Sequence, residues 1–142
     1  MKVELLSGAL GAEITGINLR DTSANNIKII KDLLWEHKVI FFREQDISHQ
    51  EQIDFAKCFG HIEHHAYVKG LPNHPEILRI IKEPYEKNNW GENWHSDVSY
   101  NPEPTQAVIL KLLSDVSRKS IPVISAPKAP DNNSTFTKTH LS

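Results

Sequence analysis

The stretch "NWHSDVSY", residues 93–100, sets His95 and Asp97 two positions apart. Residues i and i+2 of an extended chain lie on one side, so an imidazole nitrogen and a carboxylate oxygen can converge on one ion. That donor pair suits Fe(II), Mn(II) or Zn(II), and a third ligand from elsewhere would complete a facial triad with open coordination positions. Each side chain donates only in one state, the imidazole neutral and the carboxylate ionised. Taken alone, the spacing also arises by chance, as a solvated loop histidine beside a turn-capping aspartate. The chain holds eight histidines in 142 residues, with His61, His64 and His65 clustered and His74 following. Such enrichment is compatible with metal or anion chemistry and, for any single histidine, with an ordinary surface imidazole.

The segments that must position these groups are legible from pattern. "VELL" and "AEITGI" read as strands joined by the turn-forming "SGALG". In "IKIIKDLLWEHK", Ile27, Ile30, Leu33 and Leu34 recur at helical spacing, with Lys and His at the C-terminal end where they complement the helix dipole. "VIFF", residues 39–42, is continuous, β-branched and aromatic, as a buried strand requires. "SHQE" at Ser48 is a capping box: the serine side chain accepts from the Glu51 N–H and the Glu51 carboxylate from the Ser48 N–H. The helix that follows carries Ile53, Ala56 and Phe59 on one face and is expected to stop at Gly60 in a left-handed cap. "ILRII" and "AVILKLL" read as strands, and the polar "KEPYEKNNWGEN" as a loop leading into the His-x-Asp pair. Trp94, beside that pair, is expected to pack in the core.

Bulk properties exclude several classes. A net charge of −2 gives no pull towards nucleic acid or anionic membrane. The one cysteine, Cys58, rules out an internal disulfide and is compatible with a reducing compartment. No apolar run reaches the length of a membrane span, and "MKVELLSGAL" lacks a signal-peptide core. The expectation is a cytoplasmic protein.

The ordered segments "GAEITGINL", "HKVIFFREQDISHQEQIDFAKCFG", "HPEILRI" and "NWHSDVSYNPEPTQAVIL" together resemble the taurine dioxygenase family of Fe(II)- and 2-oxoglutarate-dependent oxygenases. The resemblance runs from about Gly8 to Leu110. It implies a mixed α+β, mainly β fold: a partial double-stranded β-helix, or jelly roll, with flanking N-terminal helices. It also implies Fe(II) as cofactor, 2-oxoglutarate as co-substrate, and O2-dependent hydroxylation of a small acidic substrate such as taurine or another sulfonate. On this resemblance His95 and Asp97 match the first two iron ligands. His65, in "EHHAY", matches a histidine that binds the anionic end of the substrate in sulfonate-using members. Two departures stand beside that match: Ala66 replaces the family's usual proline, and the adjacent "HIEH" is unusually rich in histidine.

The character changes at Ser114. The last 29 residues hold six serines, three threonines and three prolines, with four basic residues against two acidic ones. The division expected is an N-terminal part of a taurine dioxygenase-like domain over residues 1–113 and a divergent, disordered tail over 114–142, with "IPVIS" its one strand fragment. The family's paired glycines and Asp-Thr, its distal histidine and its 2-oxoglutarate-binding arginine have no counterpart. His140 and Arg118 are the only histidine and arginine after Asp97. A frayed terminus would not hold a ligand rigidly. The alternative expectation is therefore a truncated, catalytically inactive relative. On that view "VIFF", "ILRII" and "AVILKLL" lack strand partners unless another chain supplies them, through a homo-oligomer or pairing with a full-length subunit.

Overall fold

The structure, a computed structural model, describes residues 1–81, 85, 87, 94, 95, 102, 105–114, 122–124 and 135–141. These form β1 (Lys2–Ser7), β2 (Leu10–Thr15), α1 (Ala24–His37), β3 (Ile40–Phe42), α2 (His49–Lys57), β4 (Ile62–Glu63), β5 (Leu78–Ile81), β6 (Ala107–Ser114), β7 (Pro122–Ile124) and β8 (Thr135–Leu141). The mixed α+β, mainly β class expected from the sequence is what these elements show.

β1 and β2 are an antiparallel hairpin closed by the pair Ser7↔Leu10. Gly8 takes φ +46 at the first of the two turn positions, the place where a type II′ hairpin turn needs a residue free of a Cβ. β2 then runs parallel to β3, with Ala12 opposite Ile40 and Ile14 opposite Phe42. Parallel neighbours need a crossover, and α1 supplies it. Ser23 caps α1 by accepting from the Asn26 N–H, and Ile27, Ile30 and Leu34 are buried, the stripe read from the sequence. The helix ends on Lys38, whose left-handed φ of 64° lets its N–H donate to the Leu34 carbonyl at 2.8 Å.

Both halves of the Ser48–Glu51 capping box are formed at the start of α2. The expected stop at Gly60 is corrected. α2 ends at Lys57, Cys58 caps it in right-handed geometry, and Gly60 is not among the residues with positive φ. The Cys58 and Phe59 N–H groups donate to Phe55 and Ala56, the tighter spacing that often closes a helix without a left-handed residue.

The eight described strands form one sheet in the order β1-β2-β3-β7-β6-β8-β4, with β5 also paired to β8. Two expectations about the C-terminal part differ from this arrangement. β7 falls within "IPVIS", the one strand fragment expected there, but residues 135–141 form a second strand, β8, inside the stretch expected to be disordered. Moreover, "VIFF", "ILRII" and "AVILKLL" all have partners: β3 pairs with β7, β5 with β8, and β6 with both. The physical reason is that "TFTKTHL" sets threonine at every second position, a pattern with high strand propensity that compositional reading as a polar tail conceals. A strand with neighbours on both edges also gains a full ladder of backbone hydrogen bonds, which offsets the entropy of ordering a polar segment.

One core lies between the sheet and the helices. It includes Ala12, Ile14, Ile30, Ile40, Phe42, Ile53, Phe55, Ile77 and Ile109, all buried. Gln45 fixes the chain entering α2: its side-chain oxygen accepts from the Leu19 N–H and its amide donates to the Ile17 carbonyl, each at 3.0 Å. Among the described residues no helix is long and apolar enough to cross a membrane.

The pairing of β8 with two neighbours can be tested by substitution. Thr137 faces Arg79 on one side and Lys111 on the other, so Thr137→Pro deletes a ladder N–H inside the sheet. We expect it to cost about 1–3 kcal/mol, the penalty of an unmade buried hydrogen bond. Ile109→Ala, in the core of β6, is expected to cost about 2–5 kcal/mol. Urea unfolding midpoints measure both, and an unchanged midpoint for Thr137→Pro would count against β8 as a central strand.

Candidate functional site

Most of the histidines stand on or near the chain that runs from α2 through β4 to β5. His61 and His64 flank β4 and are exposed, whereas His65 is half-buried. The His65 ring is fixed by its own loop: Nδ1 accepts from the Tyr67 and Val68 N–H groups, each at 3.1 Å. With Nδ1 occupied as an acceptor, a neutral ring carries its hydrogen on Nε2, so the nitrogen facing away from the loop is a donor. The Tyr67 ring stands edge-on to the His65 ring at 6.2 Å and is itself largely exposed.

The loop then folds back on itself through three backbone hydrogen bonds, Leu71 N–H to Ile77 O, His74 N–H to Leu71 O and Ile77 N–H to His74 O. Gly70 is required here, because a Cβ at this position would lie 2.0 Å from the Pro75 carbonyl oxygen. The fold-back presents His74 to His49 in the first turn of α2, with ring centroids 5.4 Å apart in an edge-to-face arrangement.

Below them lies a group that pattern reading passed over. Lys111, on the otherwise apolar β6, is buried, and its Nζ donates to the Ile47 carbonyl just before α2. From the opposite side the Arg20 guanidinium donates to the Asp46 carbonyl and, at 2.8 Å, to Glu51. Two cations thus hold consecutive carbonyls at the entry of α2. The lysine within "AVILKLL" was the sequence signal, since an uncompensated charge does not belong in a buried strand.

The electrostatics follow from this packing. Burial pushes the Lys111 ammonium down, while Asp46 and Glu51 oppose that shift. Burial also lowers His49, and the charges of His74 and Lys111 lower it further. The Glu51 carboxyl is held low chiefly by its hydrogen bonds with Ser48.

Of the residues singled out for iron, His95 is exposed and Asp97 lies outside the described residues, as does Arg118, the one arginine after Asp97. Among the described residues, no group of three or more His, Cys, Asp or Glu side chains converges as a metal site. Trp94 is fully exposed, which corrects its expected place in the core. The backbone of His140 belongs to β8, in register with Val108 and Glu63, and is thus not a frayed end.

Comparison with known proteins adds a second line of observation. The profile of the family described as "Taurine catabolism dioxygenase TauD, TfdA family" matches residues 2–115. An alkylsulfatase of Acinetobacter baylyi is 33% identical over 102 residues, covering 70% of this chain and 31% of that protein. An alpha-ketoglutarate-dependent sulfate ester dioxygenase of Pseudomonas putida is 33% identical over 113 residues, covering 78% of this chain and 36% of that protein. The chain therefore spans about a third of the length of these relatives. A crystal structure of a taurine dioxygenase from Burkholderia xenovorans superposes with a TM-score of 0.74 at 17% identity, over 99% of this chain and 88% of that one. At that identity it speaks for the fold.

His49 makes the stability of this region depend on pH. Its folded pKa lies below the ordinary value of 6.5, so the folded state favours the neutral ring and the unfolded state binds the proton more readily. The stabilisation is complete above pH 6.5 and is lost as pH falls from there through the lowered folded value. Thermal midpoints followed from pH 7.5 to 5 should decline, and His49→Gln should flatten that decline. An equally steep decline in the variant would show that another group is responsible.

Proposed function

The chain belongs to the TauD, TfdA family, and on that premise we propose that it is a non-haem Fe(II)- and 2-oxoglutarate-dependent dioxygenase acting on a small sulfonate or sulfate ester. The observation that carries the reading is that the His-x-Asp pair, His95 and Asp97, falls inside the matched span of residues 2–115. Members of this family use Fe(II) and 2-oxoglutarate with O2.

The donor types of this pair fit iron. An imidazole nitrogen and a carboxylate oxygen are two of the three ligands of a facial triad, and the exposed His95 is accessible to an ion from solvent. In this reading His95 and Asp97 hold the metal, His95 as the neutral ring and Asp97 as the carboxylate. When bound, Fe(II) with 2-oxoglutarate supplies the oxidising power that inserts oxygen into a C–H bond of the substrate. In the same reading the eight-stranded sheet is part of a jelly roll.

His65 has a separate task. Its Nδ1 is engaged by the Tyr67 and Val68 N–H groups, which holds the ring in place before any substrate arrives. In this reading the Nε2–H is the group that donates to an anionic oxygen of the substrate, which suits a sulfonate or sulfate group whose several oxygens all accept. Because the ring is already ordered, binding loses little side-chain entropy.

The decisive measurement is made without oxygen. Fe(II) and 2-oxoglutarate added anaerobically should give the weak visible charge-transfer band of a chelated iron centre. His95→Ala and Asp97→Ala should each abolish it, and a native chain that binds iron without developing the band would overturn the reading. With alkyl sulfates or sulfonates as substrates and succinate as the measured product, His65→Ala should raise KM. Loss of a hydrogen bond to a charged group is worth about 1.5–3 kcal/mol, so the expected rise is roughly 10- to 150-fold.

A further inference from the structure

Among the described strands β1 forms one edge of the sheet, and all six of its residues are exposed. The bonding of β2 to β3 fixes which of its backbone groups are free. The Ala12 N–H donates to the Val39 carbonyl at 3.0 Å, so Ala12 and Ile14 turn their backbone groups towards β3, and Lys2↔Thr15 and Glu4↔Glu13 are the hydrogen-bonded pairs of the hairpin. By alternation the N–H and C=O groups of Val3 and Leu5 point away from the sheet.

The side chains of β1 divide into two chemically different faces. Val3 and Leu5 stand opposite Ile14 and Ala12, which are fully buried, so they lie on the core-facing side of the sheet. α1 packs against β2 and β3, and Val3 and Leu5 remain 37% and 63% exposed. The core face of the sheet therefore continues past its cover. On the opposite face Lys2 and Glu4 form an ion pair at 3.0 Å. An exposed edge is ordinarily blunted by proline, a bulge or inward-pointing charge. β1 contains no proline, and its charges lie on the outer face.

We propose that β1 is an interaction surface for a second copy of this chain, the two β1 strands pairing antiparallel about a two-fold axis through Val3. With the axis normal to the sheet, odd residues meet odd and even meet even, so the core faces of both copies stay on one side. Centring on Val3 sets Lys2 of each copy opposite Glu4 of the other and pairs the outward backbone groups of the two Val3 residues with each other. It also sets Leu5 opposite Met1, so that the exposed Met1, Val3 and Leu5 of the two copies join into one apolar stripe. Charge selects this register over its neighbours. An axis through Glu4 would place two carboxylates directly opposite each other, and one through Leu5 would set Lys2 against Gly8 and Val3 against Ser7. The strand is thus complementary to itself in both charge and apolar pattern.

Sedimentation equilibrium with charge-reversed variants tests the pairing. The native chain should form a dimer. Lys2→Glu and Glu4→Lys should each weaken it by roughly tenfold or more, because each sets like charges opposite at two places. An equimolar mixture of the two variants should recover a dimer, since one variant is acidic at both positions and the other basic. The double variant K2E/E4K should recover it as well. A native chain that stays monomeric, a dimer indifferent to both single substitutions, or a mixture that fails to recover would each overturn the proposal. Matching thermal midpoints of the variants would show that the loss is in pairing and not in folding.

Discussion

The continuity of the sheet rests on β8. Seven residues, 135–141, form backbone ladders with β6 along one edge and with β5 and β4 along the other. β7 performs the same task on a smaller scale, joining β3 to β6 through the pairs Ile40↔Ile124 and Ile109↔Ile124. Without these two segments the hairpin and its α1 crossover would be one sheet, and β4, β5 and β6 would be three unpaired strands. Core apolar residues such as Leu78, Val108 and Ile109 are on strands that, among the described residues, only the polar C-terminal segments hold together. Hydrophobic burial and backbone pairing are here supplied by different parts of the chain.

The same division explains how far the sequence could be read. Where a segment carries its own apolar period or its own cap, pattern was sufficient: α1 with Ile27, Ile30 and Leu34, the Ser48–Glu51 box, and β3 within "VIFF". Where a segment is ordered by its neighbours, pattern failed. β8 has no apolar stripe, only alternating threonines, and its pairing is decided by strands more than 50 positions earlier in the case of β5. The C-terminus of α2 failed for a related reason. Gly60 offered a left-handed cap, but the chain closed the helix with short hydrogen bonds at Cys58 and Phe59 first.

For the site, donor type was legible and arrangement was not. The spacing of His95 and Asp97 shows two donor types of the kind that metals take, and the family profile spans them. The fixed orientation of His65 depends on two backbone N–H groups, which no residue type reports. The contact between His49 and His74 depends on the fold-back over Gly70, and the burial of Lys111 on a carbonyl 64 positions away. Each is a product of tertiary placement. Lys111 and Arg20 together also show how a charge is tolerated there, with each cation answered by backbone carbonyls and by Glu51 or Asp46 nearby.

The place of β8 in the chain has a consequence for how the protein is made. Ribosomes deliver the chain from its N-terminus, so β1, β2, α1 and β3 can assemble as soon as residue 42 has emerged. β4 and β5 are complete by residue 81, yet their partner begins at residue 135. At about 5–20 residues per second, that interval lasts roughly 3–11 s. During it the edges of β4 and β5, and the apolar side chains of Ile62, Ile77 and Leu78, have no native strand to close on. The nascent chain must therefore pass through a stage in which chaperone binding and premature aggregation compete for the surface that β8 later covers.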